Sequence, residues 1–138
     1  MAERYAADFA DELTRKPWDV ERLRRFTGDC PPGPVLDVGC GPAGHVGRFV
    51  ADLGARVVGV DFSERSVALA HRLNPSLRFV VADMQALPFA PGACAGIVAF
   101  YSMIYAADPQ PALREFRRVL QRGAPLLIAV RRSRGAPR

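Results

Sequence analysis

Cysteine is scarce and odd in number in this 138-residue chain, and Cys30, Cys40 and Cys94 show no C-x-x-C spacing. That excludes a disulfide framework and a zinc ribbon, and predicts reduced thiols. The only two histidines, His45 and His71, stand apart with no second ligand at helical spacing, so no metal site is expected. Long apolar runs are also missing. The stretches 97–101 and 126–130 fall far short of the roughly 20 residues a spanning helix needs, and read as buried strands. Met1 to Phe9 mixes Glu3, Arg4 and Asp8 among its apolar positions, which leaves no basic segment followed by an apolar signal core. A cytoplasmic protein with no membrane partner is expected.

What is present is the composition of one globular domain, 49% hydrophobic and 24% charged. The net charge of +5 is concentrated at one end. Arg131, Arg132, Arg134 and Arg138 supply four positive charges, leaving +1 for the first 130 residues. No aromatic residue interleaves this tail, so it offers no stacking platform, and no nucleic-acid partner is expected. Residues 131–138 are read as a disordered basic tail.

Short Val/Ile/Leu-rich runs alternate with segments of helical periodicity, the pattern of βαβ units around a parallel sheet. Strands are predicted at Pro34–Val38, Arg56–Val60, Leu77–Val81, Ala95–Tyr101 and Leu126–Val130. Val46, Phe49, Val50 and Leu53 define a helix after the first strand, with Gly54 at its end. Ser63 caps a second helix that runs through Leu73 and stops at Asn74-Pro75. A third spans Pro109 to Gln121, its stripe formed by Leu113, Phe116, Val119 and Leu120. Ahead of the sheet, Tyr5, Phe9 and Leu13 share one helix face, and Asp19 caps a shorter helix through Phe26. The expected division is a helical segment over 1–30, a core over 31–130 and the tail. The fold class is α/β, a Rossmann-like doubly wound sheet, whose ligands bind beyond the carboxyl ends of the strands.

At the end of the first strand, Gly39-Cys40-Gly41-Pro42-Ala43-Gly44 forms a G-x-G-x-x-G opening a helix, a turn that lets a ligand approach bare backbone. Asp61 ends the second strand, where a carboxylate can accept from both ribose hydroxyls. Asp37, two residues before the loop, would repel a pyrophosphate and attract a cation. S-adenosylmethionine, which has no phosphate and carries a sulfonium and an ammonium, fits that difference. Asp83-Met84 ends the third strand, with a carboxylate to accept from an adenine amino group and an apolar neighbour to cover the ring. Each acid also has a local alternative: Asp37 bonding loop amides, Asp61 capping the next helix, Asp83 fixing a turn.

These motifs resemble the class I S-adenosylmethionine-dependent methyltransferases, of the small-molecule type with a methyltransferase-11-like core, over about Gly33 to Val130. Further matches are Leu87-Pro88-Phe89, Gly96-Ile97-Val98-Ala99-Phe100 and Arg118-Val119-Leu120 leading to Gly123. The resemblance implies the strand order 3-2-1-4-5. It implies that Asp37, Gly39, Cys40 and Gly41 line the methionine part of the cofactor, that Asp61 binds ribose and Asp83 adenine, and that Phe62 and Met84 flank the ring. Tyr101 and Tyr105 follow the fourth strand, where cation–π contact would favour the sulfonium. His45 is read as a helix residue rather than a base, Cys40 is not read as a nucleophile, and no catalytic residue is assigned.

The chain departs from the family at Ala95, at Gly123-Ala124-Pro125 and, above all, after strand five, where the family's sixth and seventh strands have no counterpart. That exposes the edge of strand five and leaves the second face of the sheet without a covering helix. The chain is expected to be a fragment, with a homodimer through that edge as the second explanation. Two further readings stand beside a methyltransferase acting on a small-molecule acceptor. One is a truncated, non-catalytic cofactor-binding module. The other is a nicotinamide-dependent oxidoreductase, which Asp37, Asp83 and the lack of a Tyr-x-x-x-Lys pair oppose, Lys16 being the sole lysine.

Overall fold

A computed structural model describes residues 17–100 and 108–129. The order of elements is α1 (Pro17–Asp29), β1 (Pro34–Val38), α2 (His45–Asp52), β2 (Arg56–Asp61), α3 (Glu64–Leu73), β3 (Arg78–Val81), β4 (Gly96–Phe100), α4 (Gln110–Val119) and β5 (Leu126–Ala129). The helix expected from Tyr5, Phe9 and Leu13, and the tail, lie outside the described residues.

All five strands pair in parallel, in the order β3-β2-β1-β4-β5. Parallel neighbours require a long crossover, which the intervening segments provide, and both faces of such a sheet must be covered. The two faces separate by parity. Leu36 and Val38 of β1, Val60 of β2 and Ile97 and Ala99 of β4 pack with Ala112, Phe116 and Val119 of α4. Val35, Val57, Val98 and Phe100 face the other way, against Leu23 and Phe26 of α1 and Val46 and Val50 of α2. The second face therefore does have a covering helix over β1 and β4, contrary to expectation: α4 folds back across it. β5 pairs with β4 alone among the described residues, and its Leu126 is exposed.

Boundaries shift by a residue or two for local reasons. β2 extends through Asp61 because Asp61 continues the register opposite Val81. β4 begins at Gly96 rather than Ala95. α1 begins at Pro17, which suits a first-turn proline, so Asp19 sits inside the first turn rather than capping it, and is buried. Ser63 does cap α3, its Oγ accepting from the Ser66 amide at 3.1 Å. Gly54 closes α2 at φ 109°, its amide donating to the Ala51 carbonyl. No described helix is long and apolar enough to cross a membrane.

Candidate cofactor site

β1, β2 and β3 lie side by side, and Asp37 near the end of β1, Asp61 at the end of β2 and Asp83 two residues past β3 stand at the same end of the sheet. The glycine loop turns between the first two. The Gly39 and Cys40 amides both donate to the Val60 carbonyl, at 2.7 and 3.0 Å, and the Gly41 amide donates to Asp61 Oδ2 at 3.0 Å. The first half of the loop is thus bonded to the end of β2. Gly41 has φ 69°, and a Cβ built on it would meet nothing within 4 Å, so the loop presents bare backbone to open space there.

Asp61 is half-buried and uses both carboxylate oxygens locally, Oδ2 on Gly41 and Oδ1 on the Ser63 amide at 2.9 Å. A carboxylate oxygen has two lone pairs, so each retains one acceptor position for a further donor. Beside it Phe62 is 76% exposed. Asp83 is exposed, its Oδ1 accepting from Gln85 N at 2.9 Å in a short turn, while Met84 packs half-buried against the core. The turn foreseen for Asp83 is present, whereas Asp61 does not cap the next helix, a role Ser63 takes, and accepts from the Ser63 amide instead. These bonds orient the carboxylates without using up their acceptor capacity.

Asp37 differs from both. It is 2% exposed, lies on the α2 side of β1, and accepts from Gly47 N of α2 at 3.0 Å. Burial pushes its pKa up to about 7, against the Gly47 hydrogen bond, and the nearby Asp61 adds to the rise. Its carboxyl is enclosed between β1 and α2. The approach of α2 depends on Gly47, where a Cβ would lie 2.9 Å from Asp37 Oδ2. Cys40 is likewise buried, with its thiol held neutral chiefly by burial, consistent with no nucleophilic role. Tyr101 and Tyr105 lie outside the described residues.

The positioning roles of three residues, one of them Arg118 of the Arg118-Val119-Leu120 match, were not read from the sequence. Asn74, read only as a helix stop, is 4% exposed and bonds the glycine loop. Phe79 of β3 lies across Gly59 of β2, where any Cβ would run into the ring, and reaches Gly44. Glycine inside a strand is the usual mark of such an approach, so Gly59 carried a signal for this contact. Arg118 of α4 donates to the Leu87 and Phe89 carbonyls at 3.0 and 2.9 Å and to Glu115, whose Oε1 accepts from Leu87 N at 2.8 Å. Their hydrogen bond holds the Glu115 carboxyl below its usual range. The pair anchors the segment that follows Asp83-Met84.

A family model described as a methyltransferase domain matches residues 36–128, two-thirds of the chain. The chain belongs to the class I S-adenosylmethionine-dependent methyltransferases. Demethylmenaquinone methyltransferase of Renibacterium salmoninarum is 33% identical over 114 residues, covering 80% of this chain and 48% of the relative. Malonyl-[acyl-carrier protein] O-methyltransferase of Enterobacter lignolyticus is 32% identical over 120 residues, covering 84% and 45%. Among solved structures, geranyl diphosphate C-methyltransferase of Streptomyces coelicolor A3(2) is 26% identical with a TM-score of 0.63, covering 76% of this chain and 40% of that one. It was crystallised with Mg2+, geranyl-S-thiolodiphosphate and S-adenosyl-L-homocysteine. The chain spans about half the length of the curated relatives it matches. The family match favours the methyltransferase reading over the oxidoreductase one.

Proposed function

We propose that this chain is the cofactor-binding core of an enzyme that transfers a methyl group from S-adenosylmethionine to a small-molecule acceptor. The observation that carries the proposal is the rim itself: Asp61 and Asp83 with acceptor capacity remaining, the exposed Phe62 next to Asp61 in sequence, and a glycine loop open at Gly41. The donor set suits S-adenosylmethionine, a phosphate-free nucleoside with a positive charge. Asp61 would accept the ribose hydroxyls, Asp83 the adenine amino group, and Phe62 and Met84 would cover the ring. Gly39, Cys40 and Gly41 would line the methionine part, with Asp37 as a buried acid beneath them. Tyr101 is proposed as a further lining residue.

When bound, the cofactor supplies an activated methyl group, so the protein mainly has to hold donor and acceptor in line. No catalytic base is assigned. The three relatives above act on chemically different acceptors by their names. A shared core therefore fits a role in holding the cofactor, with acceptor choice made elsewhere. The functional unit is proposed to run from 31 to 130. The outer edge of β5 is the proposed surface for a homodimer. A nucleic-acid partner is not proposed, because the excess basic charge sits in the tail. A cytoplasmic location is supported by three unpaired cysteines.

Thermal unfolding in the presence of S-adenosylhomocysteine or NAD tests the proposal. A ligand at 100 times its Kd adds about 2.7 kcal/mol to stability, a shift readily seen. S-adenosylhomocysteine is expected to raise Tm and NAD to leave it unchanged, and Asp61→Ala to abolish the rise. A rise with NAD alone would overturn the proposal.

A further inference from the structure

The two halves of the glycine loop are held by different parts of the molecule. Residues 39–41 hang from β2 through the Val60 carbonyl and Asp61 Oδ2. Residues 42–44, by contrast, are reached from the far end of α3. Asn74, the residue that ends that helix, is buried and makes three side-chain hydrogen bonds. Its Nδ2 donates to the Ala43 carbonyl and to the Ala70 carbonyl, both at 2.9 Å, and its Oδ1 accepts from Arg48 Nη1 at 3.2 Å. One amide therefore joins the loop, the end of α3 and the second turn of α2. The fit is close: a Cβ on Gly44, which has φ 60°, would come within 3.0 Å of Asn74 Nδ2 and 3.3 Å of the Phe79 ring.

We infer that Asn74 is a positioning residue for the cofactor site, a strap that fixes residues 42–44 and thereby the far side of the Gly39–Gly41 stretch proposed to line the amino-acid part of the cofactor. The inference rests on the proposed S-adenosylmethionine site. Helix capping alone does not account for it, because capping uses one of the two amide hydrogens and the other is spent on the loop. Asparagine is also the residue type this place needs. Its two donors meet two carbonyls while its oxygen meets a guanidinium, and aspartate of the same shape would turn both donors into acceptors facing carbonyls. Buried polar groups of this kind are costly unless every member is matched, so the strap holds the loop in one arrangement.

A positioning role makes a prediction that a merely structural one does not. The nucleoside half of the ligand would lie at Asp61, Phe62 and Asp83, and the amino-acid half at Gly39–Gly41, the stretch of loop that runs directly into the strapped residues 42–44. Binding of S-adenosylhomocysteine and of 5′-methylthioadenosine, which lacks the amino-acid part, is measured by calorimetry on the full chain carrying Asn74→Ala. Asn74→Ser, which keeps one short donor for the Ala70 carbonyl, serves as the milder variant in case the first fails to fold. The expected result is a loss of S-adenosylhomocysteine affinity of about tenfold, with 5′-methylthioadenosine changed less than twofold. Faster amide exchange over residues 43–47, with unchanged exchange in β1 and β4, would accompany it. Equal losses for both ligands, or none for either, would overturn the strap while leaving the site in place. If the unaltered chain binds neither ligand, the site proposal fails first and the strap with it.

Discussion

Asp37, Asp61 and Asp83 stand at the same end of the sheet yet sit in different surroundings, buried, half-buried and exposed in turn. Asp37 therefore follows a pH logic of its own. In the folded chain its proton is held to about pH 7, against 3.8 for the ordinary carboxyl. Its folded pKa lies above its unfolded one, so stability falls as pH rises from about 4 to 7 and the carboxyl must ionise in place. Asp37→Asn keeps an acceptor for Gly47 N and removes that cost. We expect the variant to be more stable at pH 8 by on the order of 1–3 kcal/mol, the gain shrinking as pH approaches 4, measured by urea unfolding. The same change should weaken the cationic ligand selectively. The preference for S-adenosylmethionine over neutral-sulfur S-adenosylhomocysteine should fall on the order of fivefold between pH 8 and 6 in the parent chain, and stay flat in Asp37→Asn. A flat profile in both would remove Asp37 from cation recognition.

At the scale of the element, α2 shows two effects of opposite sign at one position. Glycine inside a helix costs about 1 kcal/mol relative to alanine, so Gly47→Ala would ordinarily stabilise. Here the added Cβ would lie 2.9 Å from Asp37 Oδ2 and 3.2 Å from Val57 Cγ1, both in the packed layer between α2 and the sheet. Both neighbours are buried, Asp37 at 2% and Val57 at 5% exposure, and displacing α2 stretches the Gly47–Asp37 hydrogen bond. A net loss of about 1–3 kcal/mol is expected, read as a lowered midpoint in urea with unchanged slope. The existence of α2 was plain from the spacing of Val46, Phe49, Val50 and Leu53. The need for glycine within it was not, because the carboxylate it admits comes from another element ten residues away.

For the whole molecule, stability rests on two cores divided by the sheet. Phe116 is fully buried and is the largest side chain that α4 places over β1 and β4. Phe116→Ala should cost about 3–5 kcal/mol, a large part of the total for a domain of this size. Because Phe116 belongs to neither the loop nor the rim, the folded fraction should bind S-adenosylhomocysteine with unchanged affinity. Chemical denaturation and calorimetry below the new melting temperature check the two halves of that expectation.

Local pattern was enough to mark out strands, helices and the glycine loop, since alternation, helical spacing and Gly, Pro, Ser or Asn at element ends act between near neighbours. It was enough, too, to put three acids and an aromatic at strand ends, because a parallel sheet points those ends the same way. Which acid is sealed and which is open depends on what packs over it, and hence on contacts between elements. Asn74 meets Ala43 across 31 residues, and Arg118 meets Leu87 across the same interval. The covering of the second face by α4 likewise emerged only when the chain closed on itself. Periodicity reports which side of a strand is apolar, but the partner on that side, and the charge state of a carboxyl caught beneath it, exist only once the layers have come together.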